Sequence, residues 1–271
     1  WVVTRQMGTS ADGFSLTMQE EEALNTGSHT TETLGWLAVE KGTGDWDGNA
    51  YEAGSTADSV TDAFFSQSFS ASFGSAPRLL TNIARFDGGD TASARIQNLT
   101  TTGFQVNAEE EASADAEVTH TTESVDYLAV EGSGVLTARH VAPVVGEFGA
   151  TTLTGAAKTI NLEHSFDNPV VFALPPTLNG GDPATVRITD LQSDQFTFRI
   201  DEPNYLDDVH TTEGVSWLVL EAGDWRLSDG THLNVGTVSS SLLSSGGFED
   251  VSFTSPFSST PAVLSQVQTD N

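Results

Sequence analysis

Cysteine is absent from this 271-residue chain, and lysine nearly so, represented only by Lys41 and Lys158. The first absence excludes a disulfide framework, a cysteine zinc site, a thiol enzyme and an iron–sulfur protein. The second leaves 10 Lys and Arg against 38 Asp and Glu, a formal charge of −28. Such a surface has no basic footprint for nucleic acid and would repel phosphates. No apolar run approaches the length of a membrane span and no signal peptide is visible, so no membrane insertion is expected. Because Trp1 stands where a methionine would, we expect that an upstream part has been removed.

What is present is enough to fill cores: 37% hydrophobic residues, with 15 Phe and 5 Trp spread along the chain. A carboxylate-rich surface stays soluble where salt screens it, as in seawater or brine. The expected setting is extracellular or cell-surface, in a marine or halophilic microbe. An acidic cytoplasmic protein of an extreme halophile has the same composition, so that alternative stays open.

Internal repetition organises the chain. His-Thr-Thr-Glu occurs at His29–Glu32, His120–Glu123 and His210–Glu213, 91 and 90 residues apart. An arginine (Arg5, Arg95, Arg187) stands nine residues before a phenylalanine (Phe14, Phe104, Phe196) each time. An acidic patch follows: Glu20, Glu21 and Glu22, then Glu109, Glu110 and Glu111, then Asp201 and Glu202. Seven residues after each histidine comes Trp36, Tyr127 or Trp217, and four beyond that Glu40, Glu131 or Glu221. Pro77, Pro169 and Pro261 recur at intervals of 92. The frame is out of phase with the chain ends. It gives modules at 54–145 and 146–235, and a split third from 236–271 with 1–53, completed in cis or by a neighbouring copy.

Within a module, period-two alternation as in Val251-Ser-Phe253 reads as half-buried strand. Turn signals separate the segments: Asp87-Gly-Gly-Asp90, Asn179-Gly-Gly-Asp182, Asp47-Gly48 and Asp229-Gly230. The fold class is all-β, in three antiparallel β-sandwich modules of about six strands each, half-buried on one face.

A strand entered through Phe73-x-x-x-Pro77, a Gly-Gly-Asp turn, Arg95-Ile96, Leu99-Thr-Thr-Thr-Gly-Phe104 and Val125-Asp-Tyr127-Leu128 together resemble the H-type lectin domain. The resemblance is clearest over residues 73–130. Residues 166–220, and 257–271 with 1–39, repeat it. It implies a six-stranded antiparallel sandwich that assembles as a trimer, with sugar bound in clefts between protomers. Three modules in one chain would be its covalent, pseudo-threefold version. The same resemblance places Arg5, Arg95, Arg187, Asp90 and Asp182 in a sugar site, with the loops carrying His29, His120 and His210. No Trp precedes those histidines, and only Tyr205 supplies a nearby aromatic, so this loop departs from the family pattern.

Each constellation also has a plainer explanation. From a turn, the His and Glu of His-Thr-Thr-Glu (Glu32, Glu123, Glu213) could meet a sugar hydroxyl or a metal. Equally, the Thr pair and Glu could cap the loop through local side-chain–backbone bonds. With no partner nucleophile at fixed spacing, we expect no enzyme. The acidic patches, through Glu20, Glu21, Glu110, Glu111, Asp201 and Glu202, are candidate calcium ligands, the alternative being a solvated acidic face. Trp46 and Trp225 follow the last strand of their modules. Each would either stack on a sugar or anchor an interface. The middle repeat has Val135-Leu-Thr-Ala-Arg-His140 there instead. The arginines should be paired, and the planar fork of Arg95 or Arg187 can hold two carboxylates.

Two functions therefore compete. One is a non-catalytic glycan-binding, lectin-like repeat protein with sites at module interfaces and glycans or cell-surface polysaccharide as partners. The other is a structural surface protein whose copies join into a filament or array through the split module.

Overall fold

The computed structural model describes residues 1–139 and 143–271. His140, named above in the middle repeat, lies outside them. The chain is all-β, with 21 strands and no helix among the described residues, so no helix there is long and apolar enough to cross a membrane.

The strands form six sheets, and every ladder is antiparallel. Three sheets have three strands. The first is β1 (Val2–Met7), β2 (Gly13–Glu20) and β20 (Glu249–Ser252). The second is β6 (Phe65–Ser68), β9 (Gly103–Glu110) and β8 (Ala92–Gln97); the third is β13 (Lys158–Asn161), β16 (Gln195–Asp201) and β15 (Thr185–Leu191). The other three have four strands. One runs β18 (Gly223–Arg226), β19 (His232–Leu242), β3 (Ser28–Val39), β21 (Ala262–Val267). The next runs β4 (Gly42–Trp46), β5 (Asn49–Ser55), β10 (Val125–Val130), β7 (Arg78–Ile83). The last runs β11 (Gly134–Thr137), β12 (Val144–Leu153), β17 (Glu213–Glu221), β14 (Pro169–Phe172).

The alternation in the long strands decides where the cores lie. Leu34, Trp36 and Ala38 of β3 face one cluster with Phe14, Leu16 and Met18. Val125, Tyr127 and Ala129 face a second with Phe104 and Val106, and Val215, Trp217 and Val219 a third with Phe196 and Phe198. Each large aromatic sits edge-on to its repeat's phenylalanine, Phe14–Trp36 at 5.9 Å, Phe104–Tyr127 at 5.3 Å and Phe196–Trp217 at 5.7 Å. The intervening residues Leu37, Val39, Leu128, Val130, Leu218 and Leu220 all enter a fourth cluster, shared by the three four-stranded sheets. Here the expectation of half-burial needs correcting. The four-stranded sheets are covered on both faces, which is why their strands read as near-continuous apolar runs.

The two chain ends meet within the one chain. Strand β21 ladders along β3 with Leu264 opposite Leu37, while β1 belongs to the sheet of β2 and β20. Between β21 and β1 the contact is through side chains: Thr4 Oγ1 donates to Ser265 O at 2.9 Å, and Gln6 Nε2 to Val263 O at 2.6 Å.

Strands β7, β14 and β21 are sheet edges, and several of their free amides are taken up by another repeat, Thr81 N by the backbone Leu174 O at 3.1 Å and others by side chains. Leu79 N donates to Ser216 Oγ at 3.1 Å, and Val263 N to Asp126 Oδ2 at 2.7 Å. Val171 N donates to Gln268 Oε1 at 2.8 Å, and Ala173 N, just past β14, to Gln266 Oε1 at 2.6 Å. Burial pushes the Asp126 carboxyl up to about 6, against the opposing pull of Lys41, Ser55 and the Val263 amide. A carboxyl raised on folding favours the folded state when protonated. Its contribution is complete below the unfolded value and is lost as pH rises through about 6. The stability of Asp126→Asn relative to the native chain should therefore rise by about 2–3 kcal/mol between pH 4 and pH 7. Denaturant midpoints at stepped pH would measure this, and parallel curves would remove Asp126 as the source.

Candidate functional site: an ion network between repeats

The recurring arginines and the His-Thr-Thr-Glu units converge, and each arginine reaches the glutamate of a different repeat. Arg5 Nη2 lies 2.5 Å from Glu123 Oε1, Arg95 Nη2 3.0 Å from Glu213 Oε1, and Arg187 Nη2 2.6 Å from Glu32 Oε1. These partners are 118, 118 and 155 residues apart. The contacts run in a cycle, so the three repeats are tied in a closed circuit. All six side chains are buried.

The histidines complete each cluster. His120 Nδ1 is 2.5 Å from Glu110 Oε1 and its Nε2 3.4 Å from Glu123 Oε1. His210 repeats this with Glu202 at 2.6 Å and Glu213 at 3.2 Å. At the third junction His29 is looser, 3.4 Å from Glu20 and 3.9 Å from Glu32, and its ring is partly exposed. Held between two carboxylates, His120 and His210 are raised above the ordinary histidine value. For His120 the bonds to Glu123 and Glu110 outweigh burial, which pulls the other way; for His210 the bond to Glu213 is the largest cause.

The glycine turns are built around these clusters. Glu123 accepts from Asp87 N and Gly88 N at 3.3 and 3.2 Å, and Glu213 from Asn179 N and Gly180 N at 2.9 and 2.8 Å. A Cβ on Gly88 would lie 2.8 Å from His120 Cε1, and on Gly180 2.9 Å from His210 Nε2. Only glycine lets the backbone come this close to the imidazole. Four amide, hydroxyl and histidine bonds overcome the effect of burial and hold Glu213 below the usual carboxylate range.

The expected two-carboxylate grip of the arginines is realised: Arg95 also holds Glu109 at 2.6 Å, and Arg187 holds Asp270 at 3.0 Å. Arg5 has Gln19 in place of a second carboxylate, at 2.9 Å, with its guanidinium 5.1 Å above the Phe86 ring.

The remaining singled-out residues scatter. Asp90 and Asp182 are exposed, and offer the arginines their backbone oxygens, at 3.5 and 3.2 Å. Trp46 presents no face to solvent. It is fully buried in the shared central cluster, stacked on Tyr51 at 4.1 Å, with Nε1 donating to Thr231 Oγ1 at 3.2 Å. Trp225 packs half-buried against the same cluster and donates to Glu221 O at 2.8 Å. Of the six residues read as calcium ligands, no three come together among the described residues. Glu111 accepts from Glu22 N, Glu21 accepts from Asn204 N at 2.6 Å, and Asp201 pairs with Arg199 at 2.8 Å. Glu20, Glu110 and Glu202 hold histidines, and Glu110 also lies near Glu22 and Asp90.

Between Glu109, Glu110 and Ala112 on one side and Asp182, Pro183 and Tyr205 on the other opens a cleft of about 500 Å³. The Tyr205 ring is exposed beside it, and its hydroxyl accepts from Ala112 N at 3.1 Å.

The chain is similar to Halomucin of Haloquadratum walsbyi, with 35% identity over 122 residues. That match takes in 42% of this chain and only about 1% of Halomucin. No family model matches the chain, and no solved structure does.

Proposed function

We propose that this chain is a non-catalytic structural unit of a salt-adapted extracellular or cell-surface protein. In this reading, residues 54–145, 146–235 and 236–271 with 1–53 are three H-type-lectin-like sandwiches around a pseudo-threefold axis, closed in cis. The observation that carries it is the cyclic set of buried Arg–Glu pairs. The residues most suited by type to grip a ligand are spent on one another. Similarity to a small part of a halophile's Halomucin and a charge of −28 support the surface setting.

The test combines mass, salt and ligand. Light scattering in molar NaCl should give a monomer of 28.6 kDa at every concentration. The melting temperature should rise from dilute buffer to molar NaCl as self-repulsion is screened. A glycan array should give no signal above background. Concentration-dependent polymers would overturn closure in cis, and a melting temperature indifferent to salt would overturn the salt adaptation. The cleft beside Tyr205 favours a second reading, glycan binding between modules. An array signal lost in Tyr205→Ala would establish that reading in place of the first.

A further inference from the structure

One junction differs from the other two in its carboxylates. Glu22, just past β2, reaches across to Asp90 and Glu110 of another repeat, so that one oxygen of each lies within 4.8 Å of the others. Counting from the repeat phenylalanines, the place of Glu22 is taken elsewhere by Ala112 and Asn204. Three carboxylates gathered this closely repel one another unless a cation lies between them.

Glu110 supplies a second, separate observation. Its side chain is 1% exposed, its Oε1 is held by His120 Nδ1 at 2.5 Å, and its Oε2 has no hydrogen-bond partner among the described residues. A buried carboxylate oxygen without a donor is costly, and a metal ion is one of the few things that satisfies it. The mouth is graded: Glu110 buried, Glu22 half-buried, Asp90 exposed. Waters can therefore complete a coordination sphere from the open side.

The geometry points to a divalent-cation site made by Glu22, Asp90 and Glu110, of the hard, oxygen-liganding class to which calcium belongs. Without a cation the cluster is strained electrostatically. Among the described residues no arginine or lysine pairs with Glu22, Asp90 or Glu110, and the one charged partner is His120 on Glu110 Oε1. Arg5, the nearest by connectivity, is committed to Glu123 and Gln19. Glu202 Oε2 is orphaned like that of Glu110, but Ala112 stands where the third carboxylate would be. One ion per chain is therefore expected, as a bridge between two repeats.

Calorimetric titration of the EDTA-treated full chain with calcium chloride, in molar NaCl to suppress diffuse binding, is the test. Saturable binding of one ion is expected, with a Kd of about 10⁻⁴–10⁻³ M as in other extracellular modules. Glu22→Gln and Asp90→Asn change half-buried and exposed residues, so both variants should keep the native circular dichroism. Each should weaken binding by about tenfold or more, while Asp182→Asn leaves it unchanged. Calcium should also raise the melting temperature of the native chain beyond an equal ionic strength of NaCl, and lose that increment in Glu22→Gln. No saturable heat, or binding unaffected by both Glu22→Gln and Asp90→Asn, would overturn the site.

Discussion

Glu213→Ala should destabilise the protein by about 3–5 kcal/mol, because it removes one of the two carboxylates that hold the buried Arg95 guanidinium, leaving it Glu109 alone. Arg95 and Glu213 are both 0% exposed and 3.0 Å apart, so no water replaces the lost charge. The substitution also orphans the Asn179 and Gly180 amides and the Thr177 hydroxyl, all of which Glu213 accepts. Equilibrium denaturation would read the loss directly. The contrast is the exposed Arg85–Asp58 pair, at 2.9 Å but 51% and 40% exposed, where Asp58→Ala should cost no more than about 1 kcal/mol. If Glu213→Ala behaved like Asp58→Ala, the junctions would not depend on their ion pairs.

Trp46→Ala should cost about 3–5 kcal/mol, by emptying the largest side chain in the central cluster. The indole is fully enclosed, stacked on Tyr51 with 21° between planes, and contributes to a core drawn from all three four-stranded sheets. Because those sheets share that core, the loss should appear as one lowered cooperative transition rather than a separate early step. Trp46→Phe keeps most of the stacking and loses the bond to Thr231 and part of the ring volume, for about 1–2 kcal/mol. A stability loss below about 1 kcal/mol for Trp46→Ala would mean that the hairpin carrying it is not docked on the core.

Much of the fold was legible one strand at a time. Alternation in Val125-Asp-Tyr127-Leu128 put Tyr127 and Val125 on one face, and the structure has them in one cluster. The Asp47-Gly48 turn was equally plain. Both residues have positive φ, 53° and 91°, as the tight hairpin between β4 and β5 requires. The candidate site was legible only as an inventory. Arg, His and Glu recurred at fixed spacing, and in a chain with so few cations the arginines had to be paired. Which glutamate each arginine would choose was not readable, because the partners lie in different repeats.

The amino-acid sequence by itself determined the strand character, the ninety-residue period, the buried aromatic of each repeat and the strongly negative charge, because each depends on local pattern or composition. Only the tertiary structure decided three further things. It covered the four-stranded sheets on both faces, turned Trp46 inward, and linked the arginines to the next repeat's glutamates in a cycle. The reason is physical: these outcomes depend on which surfaces meet across more than a hundred residues of chain, and period-two alternation says which face is apolar but not what covers it.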